Sequence, residues 1–257
     1  MAEKILKINT DGKLLLKGKI ALVNGASAGI GRVITQTLLE NGIYVVATYH
    51  QRKEVIDSLI KKYGKKIIAF QIDFLSDNYE KKIEKIVKEA KNWRKKIDIL
   101  INVSGVWLVK PFLYEDDKDR KWLWRINYEA PYTFIQKIIP HMIGNGGQII
   151  NIASTAGVKG TGQQATYCAS KAALINLTQS LAEEFAALNI KVNSISPGPT
   201  ETSALDKYID EKAKSLLVKN IPISKLCKPI DVANTVLAIL INDYMTGANI
   251  LIHGGRI

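Results

Sequence analysis

Two side chains four residues apart, Tyr167 and Lys171, carry the strongest chemical signal in the sequence. If this segment is helical, residues i and i+4 share one face, so the Lys171 ammonium is expected to lie close to the Tyr167 phenol. A free tyrosine loses its proton near pH ~10, and bringing that pKa to neutrality requires about 4 kcal/mol of preference for the phenolate. A unit charge at ~4 Å supplies about this much at an effective dielectric constant of ~20. The spacing therefore predicts an acid/base pair in which Lys171 lowers the pKa of Tyr167.

A glycine-rich turn follows the first apolar strand, which we predict at residues 19–23. The spacing of Gly25, Gly29 and Gly31 is GxxxGxG, which differs from the GxGxxG of the common dinucleotide fingerprint. The turn leads into an amphipathic helix that closes at Asn41-Gly42. Such a turn brings backbone close to a pyrophosphate and directs the N-terminus of the helix at its negative charge. The alternative is a tight turn with no ligand.

Further apolar runs alternate with helical patterns along the rest of the chain. We predict strands at residues 44–47, 67–72, 97–102, 148–152, 191–195 and 249–252. Near-continuous apolar strands separated by amphipathic helices indicate an α/β fold, a doubly wound seven-stranded parallel sheet with helices on both faces. Ligands of such sheets bind beyond the carboxyl ends of the strands. No linker or repeat divides the 257 residues, so we predict one domain over 1–257, with an N-terminal extension at 1–17.

The net charge of +12 raises the question of nucleic acid binding. In residues 80–89, however, lysines alternate with acids around an apolar stripe, as on a solvated helix face. We therefore expect no nucleic-acid partner, and we leave open an attraction of anionic ligands, either a phosphorylated dinucleotide or a substrate on coenzyme A or an acidic carrier protein.

No apolar run is long enough for a signal peptide or a membrane span, so a cytoplasmic protein is expected. The three histidines are too far apart in sequence to suggest a metal site, and no metal is expected.

The segment after the second predicted strand bears on the choice of cofactor. It reads Thr48-Tyr49-His50-Gln51-Arg52-Lys53 and lacks the carboxylate that usually binds the ribose hydroxyls of NAD. This favours the 2′-phosphate form, NADP(H), over NAD(H), with Arg52 in contact, joined by His50 or Thr48. Alternatively, Arg52 and Lys53 only begin a solvated helix.

With Tyr-x-x-x-Lys, the upstream Ser154 and the glycine turn in one chain, the sequence resembles the short-chain dehydrogenase/reductase family over about residues 18–255. Further matches are Asp73 after the third strand, Asn102-Val103-Ser104-Gly105 after the fourth, Asn127 in the next helix, and residues 197–202 after the sixth. Residues 154–172 are most similar to the 3-oxoacyl-acyl-carrier-protein reductases within the family. The resemblance implies a single-domain Rossmann fold and an NAD(P)-dependent oxidoreductase.

The resemblance also implies a role for each matching residue. Tyr167 would donate the proton in reduction and act as base in oxidation, and Ser154 would hydrogen-bond the substrate oxygen. Lys171 would also hold the nicotinamide ribose, and Asn127 would position a water that links Lys171 to solvent. With the residues after the second strand included, the predicted cofactor-binding set is Gly25, Ser27, Gly29, Ile30, Gly31, Thr48, His50, Arg52, Asp73, Phe74, Asn102, Gly105, Tyr167, Lys171, Pro197, Gly198, Thr200 and Thr202.

Three positions depart from the family pattern. Asn24 replaces the usual threonine, Val103 replaces the second asparagine of Asn-Asn-Ala-Gly, and His253 replaces a frequent aspartate. The Asn24 side chain can still donate and accept hydrogen bonds. A rearrangement of the hydrogen bonds that join the first and fourth strands is left open. For His253 the interpretation left open is an altered subunit contact.

Three functions are compatible with these residues. The first is an NADP(H)-preferring reductase of a 3-oxoacyl thioester or a similar ketone, free or carrier-bound, and the resemblance suggests that it is a homotetramer. The second is an NAD(P)-dependent alcohol or sugar dehydrogenase, which would differ in residues 203–228, here called the substrate segment. The third is a non-catalytic scaffold that senses a dinucleotide or binds nucleic acid. Trp107 either lines the substrate pocket or belongs to the core, and a basic cluster (Lys118, Arg120, Lys121 and Arg125) either docks an acidic carrier or faces solvent.

Overall fold

The computed structural model describes residues 15–256, so most of the predicted N-terminal extension, residues 1–14, lies outside the described part. Seven strands form one parallel sheet: β1 (Ile20–Asn24), β2 (Tyr44–Tyr49), β3 (Ile67–Gln71), β4 (Ile99–Asn102), β5 (Gly147–Ile152), β6 (Ile190–Pro197) and β7 (Asn249–Ile252). Their spatial order is β3-β2-β1-β4-β5-β6-β7. All seven predicted strands are confirmed, and their bounds differ from the prediction by two residues or fewer.

Helices connect these strands and cover both faces of the sheet. They are α1 (Gly29–Glu40), α2 (Lys53–Tyr63), α3 (Tyr79–Arg94), α4 (Asp117–Trp124), α5 (Ala130–Met142), α6 (Ala165–Phe185), α7 (Glu211–Lys219) and α8 (Pro229–Ile241), with a π-helical segment at Arg125–Glu129 between α4 and α5. The α/β fold with a doubly wound, seven-stranded parallel sheet is therefore confirmed. Across residues 15–256, no helix combines the length and the apolar character that a bilayer span requires.

The two faces of the sheet build two separate hydrophobic cores. Along β1, Ala21 and Val23 pack into the core beneath α1, α2 and α8, whereas Ile20 and Leu22 pack into the core beneath α3, α5 and α6. This alternation is the two-residue period of a strand that is buried on both sides. Because all strands are parallel, their carboxyl ends meet at one edge, and the strand order reverses between the neighbours β1 and β4. A crevice at that reversal is where ligands of such sheets bind.

Helix α3 carries several of the basic residues of the chain. Its buried residues are Tyr79, Ile83, Ile86, Val87 and Ala90, which recur at helical spacing, and its lysines and most of its glutamates face solvent. The charged residues of this segment are therefore a solvated helix face, as the sequence predicts.

Candidate active site

Helix α6 and the end of strand β5 bring the predicted catalytic groups together. Tyr167 and Lys171 lie in the first two turns of α6, and Ser154 lies two residues after β5. The Ser154 side chain is close enough to the Tyr167 phenol to influence its pKa, and it accepts a hydrogen bond from the Ala156 amide at 3.1 Å. The Lys171 ammonium is buried and donates to the Ile152 carbonyl at 3.0 Å. The site thus places two hydroxyl groups together and a cation on the same helix.

The pKa values of this pair differ from the sequence-based expectation. Burial raises the pKa of Tyr167 above its ordinary value, and the hydrogen bond from Ser154, which lowers it, is the smaller influence. Burial also lowers the pKa of Lys171, to about 8. The expectation that Lys171 lowers the pKa of Tyr167 is therefore wrong for this structure, because burial disfavours the charged form of both groups. A phenol with a raised pKa stays protonated at neutral pH, which is the form that donates a proton.

Asn127 lies in the π-helical segment and is fully buried. Its Oδ1 accepts from the Val106 amide at 2.8 Å, and its Nδ2 donates to the Val106 carbonyl at 3.0 Å and to Ser170 Oγ at 3.1 Å. A Cβ atom added to Gly105 would lie 3.2 Å from Lys171 Nζ and 3.4 Å from Asn127 Oδ1, so Gly105 lets these two groups approach each other. Asn127 fixes the loop after β4 next to Lys171, and its predicted role toward a water stays a prediction.

The glycine turn between β1 and α1 has the shape that a pyrophosphate requires. Gly25 has φ of +88°, and a Cβ atom there would lie 2.7 Å from Ser104 Oγ. A Cβ atom on Gly31 would collide with the Gly25 carbonyl oxygen. Helix α1 begins after Ala28, whose methyl side chain cannot cap it, so its first amides point to the cleft without a side-chain acceptor. The turn therefore fits the phosphates of a dinucleotide held by backbone amides.

The segment after β2 contains the residues that are predicted to meet a 2′-phosphate. Arg52 has a left-handed backbone, and its Nη2 donates to Ser203 Oγ at 3.1 Å. His50 Nε2 lies 3.9 Å from Asp73 Oδ2. The Thr48 hydroxyl, by contrast, faces inward, where it accepts from the Gly25 amide at 3.3 Å and donates to Asn24 Oδ1 at 3.4 Å. Of the three residues predicted to meet a 2′-phosphate, Arg52 is the one with a charged group at the mouth of the cleft.

A ladder of buried amides lies beneath the site and accounts for the Asn24 departure. Asn24 Nδ2 donates to Asn102 Oδ1 at 3.4 Å, Asn102 Nδ2 donates to Asn151 Oδ1 at 2.9 Å, and Asn151 Nδ2 donates to Thr178 Oγ1 at 3.0 Å. Asn24 Oδ1 also accepts from Ser104 Oγ at 2.5 Å. The ladder joins β1, β4, β5 and α6, so Asn24 supports the first and fourth strands. Asn102 belongs to this ladder and is predicted above to bind the cofactor.

One cleft of about 1380 Å³ unites the site. It is lined by Gly25, Ser27, Gly29, Ile30, Gly31, Thr48, His50, Arg52, Asp73, Phe74, Gly105, Ser154, Tyr167, Lys171, Pro197, Gly198, Thr200 and Thr202 from the predicted set. Asn102 and Asn127 do not line it and lie behind its wall. Within residues 15–256, the His, Cys, Asp and Glu side chains form no group of three that can hold a metal ion.

The structure adds lining residues that sequence reasoning left open or missed. Trp107 lines the cleft and packs edge-on against Tyr208 of the substrate segment, with 4.9 Å between ring centroids. Arg256 lines the same cleft from the end of the chain. Its signal in the sequence, one arginine after Gly254-Gly255, is too weak to identify it.

Comparisons with known proteins agree with this geometry. A sequence model of the family described as enoyl-(acyl carrier protein) reductase matches residues 25–256. The 3-oxoacyl-[acyl-carrier-protein] reductase FabG of Aquifex aeolicus is 34% identical over 249 residues, covering 95% of this chain and 99% of the relative. An NAD-dependent glycerol dehydrogenase of Listeria innocua is 35% identical over 243 residues, covering 92% and 93%.

A solved structure shows the same similarity in three dimensions. The crystal structure of a dehydrogenase/reductase from Sinorhizobium meliloti superposes with a TM-score of 0.87 at 28% sequence identity, over 96% of this chain and 99% of that one. The chain belongs to the short-chain dehydrogenase/reductase family of NAD(P)-dependent oxidoreductases.

Proposed function

We propose that the protein is an NADP(H)-preferring reductase of a carbonyl group, carried by a 3-oxoacyl thioester or a similar ketone. The observation that carries this proposal is the convergence of Ser154, Tyr167 and buried Lys171 in the wall of one cleft, with Ser154 close enough to influence the pKa of the Tyr167 phenol. The FabG relatives, which are named as 3-oxoacyl reductases, support this substrate class.

The residues of the site account for the proton transfer in the reaction. When bound, a nicotinamide cofactor supplies the hydride for the carbonyl carbon. Ser154 holds the carbonyl oxygen, and Tyr167 donates its proton to that oxygen as negative charge grows there. Burial keeps the phenol protonated until that moment. Lys171 is held by the Ile152 carbonyl, and its ammonium lies next to Gly105 on the wall of the same cleft.

The preference for NADP(H) rests on the end of β2. The turn offers the Arg52 guanidinium, and no carboxylate stands at positions 48–53. A guanidinium binds phosphate oxygens through charge-assisted hydrogen bonds. The Ser203 contact places Arg52 across the mouth of the cleft, where the 2′-phosphate of NADP(H) would meet it.

A second candidate is an NAD-dependent alcohol dehydrogenase, and a specific relative favours it. The Listeria innocua glycerol dehydrogenase is as similar to this chain as the FabG proteins are. Both functions use the same catalytic residues, so they differ in cofactor and in substrate. The matching family is described as enoyl-(acyl carrier protein) reductase. Enoyl reduction is therefore a third reaction, and its substrate class is included in the assay.

The partners follow from surface chemistry. The basic cluster is partly neutralised, because Arg120 and Lys121 pair with Asp117, and Arg125 pairs with Glu129. Docking of an acidic carrier there depends on the positive charge of the cluster that these acids do not neutralise.

Trp124, Tyr128 and Tyr132 form a row of contacting aromatic rings, and the Tyr132 ring on α5 is 43% exposed. This exposed aromatic surface supports a homotetramer assembled through these helices. A cytoplasmic location completes the proposal.

The experiment is a comparison of substrates and cofactors. Oxidation of NADPH and of NADH is measured with acetoacetyl-CoA and with crotonyl-CoA, and reduction of NAD and of NADP is measured with glycerol. We expect the highest kcat/KM with NADPH and acetoacetyl-CoA. Tyr167→Phe should lower it by about 10²- to 10⁴-fold, whereas Tyr244→Phe, at a fully exposed tyrosine, should leave it unchanged. A Tyr167→Phe enzyme as fast as wild type contradicts the assigned role, and a preference for glycerol with NAD favours the second candidate.

A further inference from the structure

The cleft contains a cation whose hydrogen-bonding capacity is not met. The Nη1 atom of Arg256 is shielded from solvent and has no hydrogen-bond partner within residues 15–256. Among the described side chains with such a buried, unpartnered atom, Arg256 alone belongs to the wall of the cleft. A buried donor without an acceptor is unfavourable. Because Arg256 also lines the cleft, a ligand bound there can bring an acceptor to its guanidinium.

The backbone around Arg256 is fixed by local hydrogen bonds. The Arg256 amide donates to the His253 carbonyl at 3.1 Å, and the Gly255 amide donates to His253 Nδ1 at 3.0 Å. The Ile223 amide donates to the Gly254 carbonyl at 3.2 Å, which ties this turn to the substrate segment. His253, the third departure from the family pattern, thus stabilises the turn that presents Arg256 to the cleft.

The charges of the cleft favour an anion at this end. The lining residues with a basic or acidic side chain, tyrosines apart, are His50, Arg52, Asp73, Lys159, Lys171, Lys207 and Arg256. Asp73 is the single carboxylate among them, and it lies beside His50 at the adenosine end. Lys207 and Arg256 lie at the substrate segment, where the lining residues include no acid. Their neighbours there are apolar and aromatic, including the Trp107–Tyr208 pair, and a weakly polar wall strengthens an ion pair.

We propose that Arg256 binds an oxyanion carried by the substrate, so that the enzyme selects ketones bearing a carboxylate or phosphate over neutral ketones. This inference rests on the proposed carbonyl reduction and adds the substrate class. The planar guanidinium forms parallel hydrogen bonds to either oxyanion. Arg256 is in this sense a specificity-determining residue, and the proton transfer at Tyr167 does not require it.

Three pairs of ketones that differ by an oxyanion test the inference. They are acetoacetate and methyl acetoacetate, dihydroxyacetone phosphate and dihydroxyacetone, and acetoacetyl-CoA and the neutral N-acetylcysteamine thioester of acetoacetate. Steady-state kinetics are measured for wild type, Arg256→Met, Arg256→Lys and the control Lys85→Met, which removes one exposed charge from α3 outside the cleft. If the loss of Arg256 impairs only the anionic member of a pair, that pair identifies the group that supplies the oxyanion.

For at least one pair, wild type should prefer the anionic member. For the anionic member of that pair, Arg256→Met should lower kcat/KM by about 10- to 100-fold, mainly by raising KM. For the neutral member, kcat/KM should change by less than about threefold. Arg256→Lys should recover part of the loss, and Lys85→Met should behave as wild type. Thermal unfolding shows whether each variant is folded, and Arg256→Gln replaces Arg256→Met if the latter is not.

Two unfavourable results are distinguishable. If wild type reduces the neutral ketones and removal of Arg256 changes both members of every pair equally, the oxyanion inference is overturned and the proposed function stands. If wild type reduces none of the six compounds with NADPH or NADH, the proposed function fails and the inference fails with it.

Discussion

Replacement of Lys171 by methionine is expected to inactivate the enzyme and to stabilise the fold. Lys171 is 4% exposed, and burial lowers its pKa from the ordinary 10.5 to about 8. At about 1.4 kcal/mol per pH unit, keeping this ammonium buried at neutral pH costs about 3 kcal/mol of folding free energy. Lys171→Met also removes the hydrogen bond to the Ile152 carbonyl, a loss of about 1 kcal/mol. The net gain in stability is about 2 kcal/mol at pH 7.

The pH dependence of this gain has a definite sign. Between pH 8 and pH 10.5, the unfolded chain keeps the Lys171 proton and the folded protein releases it. The stability of wild type therefore rises with pH across this window relative to the variant. The advantage of Lys171→Met is fully present below pH 8 and should vanish or reverse by pH 10.5.

Urea unfolding of wild type, Lys171→Met and the surface control Lys85→Met at pH 7 and pH 10.5 measures the effect. Because other groups titrate equally in all three proteins, the difference between variants isolates Lys171. The control should stay within about 0.5 kcal/mol of wild type at both pH values. If Lys171→Met is less stable than wild type at pH 7 by an amount that is unchanged at pH 10.5, folding does not lower the pKa of Lys171 and the reasoning is refuted.

Three other variants test the cofactor site and its support. Arg52→Ser should raise KM for NADPH by about 10-fold or more with little change for NADH, because it removes a charge-assisted phosphate contact; equal effects on both cofactors would contradict the assignment. Gly31→Ala should weaken NADPH binding, measured by fluorescence titration, and lower stability by about 1–3 kcal/mol, because its Cβ meets the Gly25 carbonyl. Gly160→Ala, whose Cβ meets nothing within 4 Å, is the control and should keep wild-type stability. Asn127→Ala should lower the free energy of unfolding by about 1–3 kcal/mol, since it leaves the partly buried Val106 amide and carbonyl without their Asn127 partner. A thermal unfolding midpoint equal to wild type would show that these bonds are dispensable.

The sheet and the main motifs were predictable because they depend on short-range patterns. Apolar runs identify the seven strands, and parallel pairing then places every strand end at one edge. Residues that follow strands directly, such as Gly25, Asp73 and Ser154, therefore reach the cleft without any knowledge of loop structure. The four-residue spacing likewise placed Tyr167 and Lys171 on one helix.

Features that depend on contacts between distant segments were not predictable in this way. The π-helical turn at Asn127 has no marker in its own sequence, because its geometry is set by the bonds of the Asn127 amide to Val106 and Ser170. The amide ladder from Asn24 to Thr178 joins residues more than 150 positions apart. Arg256 reaches the cleft because its turn is bonded to the substrate segment, and no local pattern encodes that contact.

The pKa of Tyr167 shows where reasoning from spacing fails. Spacing fixes which face two side chains share, but a pKa also depends on how much water each group loses, and that depends on the whole fold. Here β5, α6 and the loop after β4 bury both Tyr167 and Lys171, so burial disfavours the phenolate and the ammonium together. The result is a neutral phenol within reach of Ser154, and a buried ammonium on the same helix with a pKa of about 8. A neutral phenol is the form that can give a proton to a forming alkoxide.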